Sequence, residues 1–131
     1  MKKIYGFTLM EIVVVLAVIA ILSAIIVPNI MGYTERARLR SDIQSTRVIQ
    51  SAVDLHRAEV GKDAEGVNAD GVIAYLVRVD YLNGAPQLQT DGAKWVYDAV
   101  AKKIAVDISG CSDGVKKVVL SDAEKTYVNG N

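Results

Sequence analysis

From Phe7 to Met31 only one side chain, that of Glu11, carries a formal charge. As a helix rising ~1.5 Å per residue, this stretch reaches about 37 Å, enough to cross a bilayer hydrocarbon core of ~30 Å. In lipid every backbone N–H and C=O must find a partner within the segment, so a single run of this kind has one solution, a helix. The β-branched Val13, Val14 and Val15 are tolerated in it for that reason. What remains of the 131 residues has room for one modest domain.

The bulk numbers narrow the function. The chain is 51% hydrophobic, and the N-terminal run accounts for the excess over a soluble domain. Fifteen basic residues balance fifteen acidic ones, which argues against nucleic acid as a bulk partner, because phosphate binding needs a net basic face. The single cysteine, Cys111, excludes both an intramolecular disulfide and a metal framework built on cysteine pairs. It is expected to be buried and inert, the alternative being an unusual free thiol.

Glu11 is the residue that needs a reason. A carboxylate within a membrane segment costs about 2.5–3.5 kcal/mol at the centre and less near an interface. An ordinary secretory signal would explain Lys2, Lys3 and the small-residue site at Val18-Ile19-Ala20. It explains neither the carboxylate nor the apolar residues beyond Ala20. A simple membrane anchor explains the length alone. The spacing Thr8 to Glu11 fits a capping box at a helix N-terminus, but that leaves the residues in front of it unexplained.

Those residues carry a resemblance. Lys2-Lys3-Ile4-Tyr5-Gly6, then Phe7-Thr8-Leu9-Met10-Glu11, then the apolar run with Pro28 near its end, resembles the N-terminal segment of type IV prepilins and type II secretion pseudopilins. The resemblance covers about the first thirty residues. It implies that a membrane prepilin peptidase cuts between Gly6 and Phe7 and methylates the new amine of Phe7. Glycine before the scissile bond suits close backbone approach, and Lys2 and Lys3 would hold the leader at an anionic membrane surface. Glu11 would then pair with the Phe7 amine of an adjacent subunit during assembly. Moving an apolar helix from lipid into a bundle of like helices gains little, so one buried ion pair decides register. Pro28 removes a backbone donor and is expected to kink or locally melt the helix, the alternative being a helix end.

The resemblance also implies the partners: the peptidase and methylase, other copies and related pilins, an assembly-platform membrane protein and an assembly ATPase, and the membrane. It implies a single-pass membrane protein with its C-terminal domain outside the cytoplasm, which later joins a filament. Charge counting does not set the orientation, because Lys2 and Lys3 precede the span while Arg36, Arg38 and Arg40 follow it. That arginine group is expected to touch headgroups or a neighbour's acidic loop, or to be a solvated face.

Beyond Tyr33 helical periodicity continues. Leu39, Ile43, Thr46, Ile49, Val53, His56 and Val60 form one broad stripe, with Asp42 and Arg57 intruding at its edges, and Gly61 is a natural stop. Ala37, Val48, Ser51 and Leu55 make a weaker line on the opposite face, which suggests contact with neighbouring subunits. His56 is expected to be a hydrogen-bonded core residue. Residues 62–71 read as a polar loop. Asn68-x-Asp70-Gly71 resembles part of a calcium loop, but Gly66 stands at the first ligand position and no glutamate closes it. Some major pseudopilins hold calcium in their sheet loops, so Asp107, Asp113 and Asp122 are the calcium candidates here; otherwise no cofactor is expected.

Val72, Leu76 and Val79 fit a short helix starting near Asp70. Trp95, Tyr97 and Ala99, then Ile104, Val106 and Ile108, alternate as two hairpin strands. A third strand is expected over 115–120, and a polar, loosely held tail from Ser121.

The expected fold is α+β: a long N-terminal helix packed on a small antiparallel β-sheet, as in pilins. The divisions are 1–6 as leader, 7–31 as membrane-spanning and filament-core helix, 32–61 as its amphipathic continuation, and 62–131 as the sheet-bearing region. No phosphate loop, metal-ligand cluster or nucleophile–base pair is present, so no enzymatic activity is expected. The resemblance points to a pilus-like filament subunit, with a secretion or competence pseudopilin as the alternative. Outside the family, a membrane-anchored binding domain that never polymerises is the competing reading.

Overall fold

A computed structural model describes residues 6–130. The elements in chain order are α1 (Leu9–Val60), α2 (Ala69–Arg78), β1 (Lys94–Asp98), β2 (Lys103–Asp107), α3 (Asp113–Lys116), α4 (Asp122–Lys125) and β3 (Val128–Asn129). They fall into two compact units, one ending at Thr34 and the other beginning at Glu35.

In the first unit α1 exposes its large apolar side chains; Leu9, Met10, Leu16 and Ile21 are each more than half exposed. Among the described residues nothing in this unit forms a core for them. The segment Leu9–Val27 is long and apolar enough to cross a membrane. Ser23 satisfies its hydroxyl within the helix by donating to the Ile19 carbonyl at 2.8 Å, as a polar residue in lipid must. Helical backbone runs on through Pro28, so the helix does not end there.

The second unit is built on the upper part of α1. Leu39, Ile43, Thr46, Ile49, Val53 and His56 are all buried, as their spacing predicts, whereas Val60 at the end of the stripe is half exposed. Gly61 stops the helix with φ +71°, a conformation that glycine adopts without strain. Two apolar clusters lie against the stripe. Ile49, Ala52 and Val53 pack with Val72, Ile73 and Leu76 of α2 and with Ile104 of β2. Leu39 and Ile43 pack with Val106, Ile108, Cys111, Val115, Val118 and Leu120. Burying side chains of this size stabilises by about 1.5–3 kcal/mol each relative to exposure, so the stripe is what holds sheet and helix together.

The hairpin forms as its alternation predicts: β1 and β2 pair antiparallel, Trp95 opposite Val106 and Tyr97 opposite Ile104. Its turn is set by Asp98, whose carboxylate accepts the backbone N–H groups of Val100 and Ala101 at 2.8 and 2.9 Å.

Three expectations are corrected. The sheet is mixed rather than wholly antiparallel, because β3 lies parallel to β2, with Val128 beside Val106. Residues 115–120 do not form a strand. Their buried members start at Val115 and Val118, three apart, on α3 and the chain leaving it, and the second edge of β2 is taken by β3. The tail from Ser121 is not loose. Ser121 and Glu124 form a reciprocal capping box on α4, and the Tyr127 and Asn129 carbonyls accept the Val106 and Ile108 N–H groups.

The loop expected over 62–71 is shortened at its end by α2, which begins at Ala69 with the Asn68 side chain accepting the Gly71 N–H at 2.8 Å. The resemblance to a calcium loop is therefore a helix cap. Gly66 is needed for a different reason: a Cβ there would lie 2.7 Å from Val72 Cγ2 and 2.8 Å from the Gly71 carbonyl carbon.

Candidate functional site

Of the residues expected to serve processing and assembly, Gly6 and Phe7 lie just before α1 and Glu11 lies in its first turn. Lys2 and Lys3, with the rest of residues 1–5, lie outside the described residues. Gly6 is exposed, and a Cβ added to it would meet nothing within 4 Å. Phe7 is 79% exposed, so both sides of the Gly6–Phe7 bond are open to an enzyme. Thr8 stands immediately before the helix; its hydroxyl accepts the Glu11 N–H at 3.2 Å and its carbonyl accepts the N–H groups of Glu11 and Ile12. Half of the capping box is thus formed. The carboxylate of Glu11 has no hydrogen bond or ion pair among the described residues and is exposed on the helix. It remains available to a cation from outside its own chain. Pro28 lies in the same helix seventeen positions beyond Glu11.

The charged residues after the span are placed differently. Arg38 pairs with Asp91 at 3.2 Å and Arg40 with Glu124 at 3.6 Å. Two of the three arginines therefore bind acidic groups of their own domain. Arg57, which interrupts the stripe, pairs with Asp63 at 2.7 Å, and Lys102 reaches the other oxygen of Asp63 at 3.1 Å. Hydrogen bonds from Lys102 and Arg57 hold the Asp63 carboxyl below its ordinary value. The backbone N–H groups of Ala101 and Val100 lower Asp98 in the same way, and the Ser121 N–H lowers Glu124.

His56 is 2% exposed, with Nδ1 3.2 Å from the Lys62 carbonyl and Nε2 3.2 Å from the Tyr75 hydroxyl. Tyr75 and Tyr81 present edge contacts to its ring. It is a core histidine, as its position on the stripe implies. Cys111 is 6% exposed, and burial raises its thiol pKa. Asp107, Asp113 and Asp122 are not gathered into one site. Asp107 accepts the Ser109 N–H, Asp122 pairs with Lys125, and Asp113 opens α3. No group of three or more His, Cys, Asp or Glu residues is arranged to hold a metal ion among the described residues.

Sequence reasoning missed Asp42. It counted as a flaw in the stripe, yet its carboxylate is fully buried and accepts the backbone N–H groups of Gln89 and Thr90 at 2.8 and 2.9 Å. An acidic residue at the border of an apolar stripe is the available signal, but its partners are backbone groups forty-seven and forty-eight positions away, which leave no trace in composition.

Comparison with known proteins agrees with the N-terminal reading. Residues 1–27 match the family described as the prokaryotic N-terminal methylation motif. The chain is similar to the type II secretion system core protein G of Escherichia coli K12, 35% identical over 54 residues. That match covers 41% of this chain and 37% of the E. coli protein. The Vibrio cholerae protein of the same name is 32% identical over 59 residues, 45% of this chain and 40% of that one. The Pseudomonas aeruginosa core protein G is 29% identical over 102 residues, 78% of this chain and 66% of that protein. The matches thus span less than two thirds of these relatives. No solved structure matches. The motif and the relatives mark a structural subunit rather than an enzyme. The N-terminal motif, the similarity to core protein G and the α+β architecture support the type IV pilin and type II secretion pseudopilin family.

Proposed function

We propose that the chain is a core pseudopilin of a type II secretion machine: a membrane-stored subunit cut between Gly6 and Phe7 and methylated at Phe7. It then enters a short filament through α1. Every member of the family shares the N-terminal segment, so that segment alone does not separate a secretion pseudopilin from a pilin. The observation that carries the choice is the Pseudomonas match, which continues past the apolar run to 78% of the chain. It reverses the order of the two readings drawn from the sequence, where the pilus subunit came first.

The mechanism follows from the start of α1. Among the described residues Glu11 is a carboxylate without a cation in an apolar helix. Cleavage creates a cationic amine on Phe7, about one turn from Glu11 along the helix. Within one subunit Thr8 already caps the helix. The unmatched carboxylate therefore supports a bond to the amine of the next subunit. Leaving either charge unpaired in a dry helix bundle costs several kcal/mol, so only the paired register is populated. Partners beyond other copies, namely the peptidase, the platform protein and the assembly ATPase, are the ones such a machine requires.

Intact-mass measurement on sheared surface filaments and on membranes of the native host tests this. A chain starting at methylated Phe7 and confined to the membrane fraction supports the pseudopilin. The same mass abundant in sheared filaments makes it a pilus subunit. A chain still starting at Met1 refutes processing and leaves a membrane-anchored domain.

A further inference from the structure

We infer that the open edge of the sheet, along β1, is a pairing surface whose partner is β1 of a second copy of this chain, set antiparallel about Val96. The strand order is β1-β2-β3, so among the described residues no strand covers the outer side of β1. Which backbone groups face that side follows from β2. The Val106 N–H donates to the Tyr127 carbonyl beside β3, and the Ile104 N–H to the Gln50 side chain. Both residues therefore turn away from β1. Facing residues of an antiparallel ladder turn their N–H and C=O groups together, either toward each other or apart. Trp95, opposite Val106, and Tyr97, opposite Ile104, thus present their N–H and C=O groups at the open edge. With two copies antiparallel about Val96, Trp95 of one stands opposite Tyr97 of the other, and these outward groups meet in register. A slip of one residue would face them with groups already bonded to β2.

The side chains select a second copy as the partner. In that register Lys94 comes opposite Asp98 of the other copy at each end, and Val96 opposite Val96. Within the chain Lys94 already faces Asp107, and Asp98 faces Lys103, across the hairpin. The paired sheet therefore carries rows of alternating sign on that face: Asp107 and Lys94, then Asp98 and Lys103 of the second copy. Between the two charged rows lies an apolar one of Ala105 and Val96. Opposite charges directly across a ladder stabilise it and like charges do the reverse. Lys94 and Asp98 are both exposed. Lys94 has no ion pair among the described residues, and Asp98 spends a single carboxylate oxygen on its turn. An edge that must stay unpaired is blunted by proline, a bulge or an inward charge. β1 has no proline and pairs without interruption, and its charged ends attract a copy of themselves. Such a pair closes on itself at two copies, whereas a filament contact repeats. It forms between subunits held in the membrane before assembly, where a shared bilayer raises their effective concentration; in this it rests on the anchoring in the proposed function.

Val96→Cys in the full-length chain tests the pairing. Facing residues at such a position have Cα atoms about 4.5 Å apart, within reach of a disulfide. Native membranes are treated with copper phenanthroline, and the chain is read as monomer or dimer on a non-reducing gel. Cys111 is buried, so the unmodified chain is expected to stay monomeric. Val100→Cys, almost fully exposed at the turn of the same hairpin, measures chance collision. A dimer at least about tenfold more abundant from Val96→Cys than from Val100→Cys supports the pairing, because only the former holds disulfide geometry. Equal yields overturn it. Adding Lys94→Glu sets like charges against Asp98 of the second copy, and is expected to cut the dimer at least about fivefold with the thermal transition of the domain retained. An unchanged yield overturns the register. Adding Glu11→Val instead is expected to keep the dimer, since the pair precedes assembly; its loss would make the link a filament contact and overturn the stored pair. Membrane-bound chain that gives no dimer overturns the pairing and spares the proposed function, whereas a chain absent from membranes overturns both.

Discussion

The carboxylate of Asp42 accepts the backbone N–H of Thr90 at 2.9 Å, with both residues shielded from water. The same carboxylate takes the Gln89 N–H, so one side chain of α1 pins the connection that leads into β1. The Thr90 hydroxyl, in contrast, is buried with no partner among the described residues.

These two atoms predict opposite responses. Asp42→Ala strands two buried N–H groups and removes a charged acceptor, which costs about 3 kcal/mol. Thr90→Val removes a polar atom that gains nothing from burial and is expected to stabilise by about 1 kcal/mol. Denaturant unfolding of the full-length chain in detergent, followed by Trp95 fluorescence, reads both. Equal destabilisation by the two variants would contradict this assignment.

Glu11→Val is expected to leave membrane insertion and cleavage intact and to abolish addition of the subunit to a filament. Cleavage is read as the mass of the processed chain, assembly as co-sedimentation with filaments. Normal assembly of this variant would remove the ion-pair mechanism.

Gly6→Val tests processing without disturbing the fold, because space around Gly6 is open. The leader is expected to remain on the chain, since the added side chain obstructs approach of the peptidase backbone. Wild-type cleavage would show that glycine is not what the enzyme reads there.

The turn of the hairpin has a pH signature. In the folded chain the Val100 and Ala101 N–H groups hold Asp98 below its ordinary 3.8. The unfolded chain therefore binds more protons near that pH, and stability rises with pH there. The contribution is fully present above 3.8 and is lost as pH falls through the lower, folded value. Asp98→Asn is expected to reduce the slope of unfolding midpoint against pH below 4 and to leave the slope above pH 6 unchanged. An unaltered slope at low pH would show that the turn contacts do not persist in solution.

Burial of Cys111 predicts that its labelling by a thiol reagent follows unfolding of the domain rather than reagent access. Labelling at the rate of a free thiol under native conditions would place the residue at the surface instead.

Much of this architecture is written in periodicity. The stripe from Leu39 to His56, α2, the hairpin and the stop at Gly61 all follow from local pattern, because each buries one face of a regular element. The failures share a cause. β3 is two residues long and exists only because Val106 and Ile108 donate to its side of β2. Two residues have no period. Residues 115–120 contain enough valine to suggest a strand, but the edge that it would need is occupied. Asp42 looked like a flaw because its partners are distant in the chain. At the N-terminal segment, motif chemistry pointed to Gly6, Phe7 and Glu11, and the structure adds that Thr8 caps the helix by accepting the Glu11 N–H, without the help of the Glu11 carboxylate.

The arrangement of the core along one side of α1 has a mechanical consequence. A pull directed along that helix loads the contacts of Leu39, Ile43, Ile49 and Val53 together, in shear, instead of opening them one after another. The hairpin is not in the direct line of tension, and its backbone hydrogen bonds are not unzipped by it. A domain built in this way resists extension along the helix on which it packs, and its exposed loops can vary without weakening that grip.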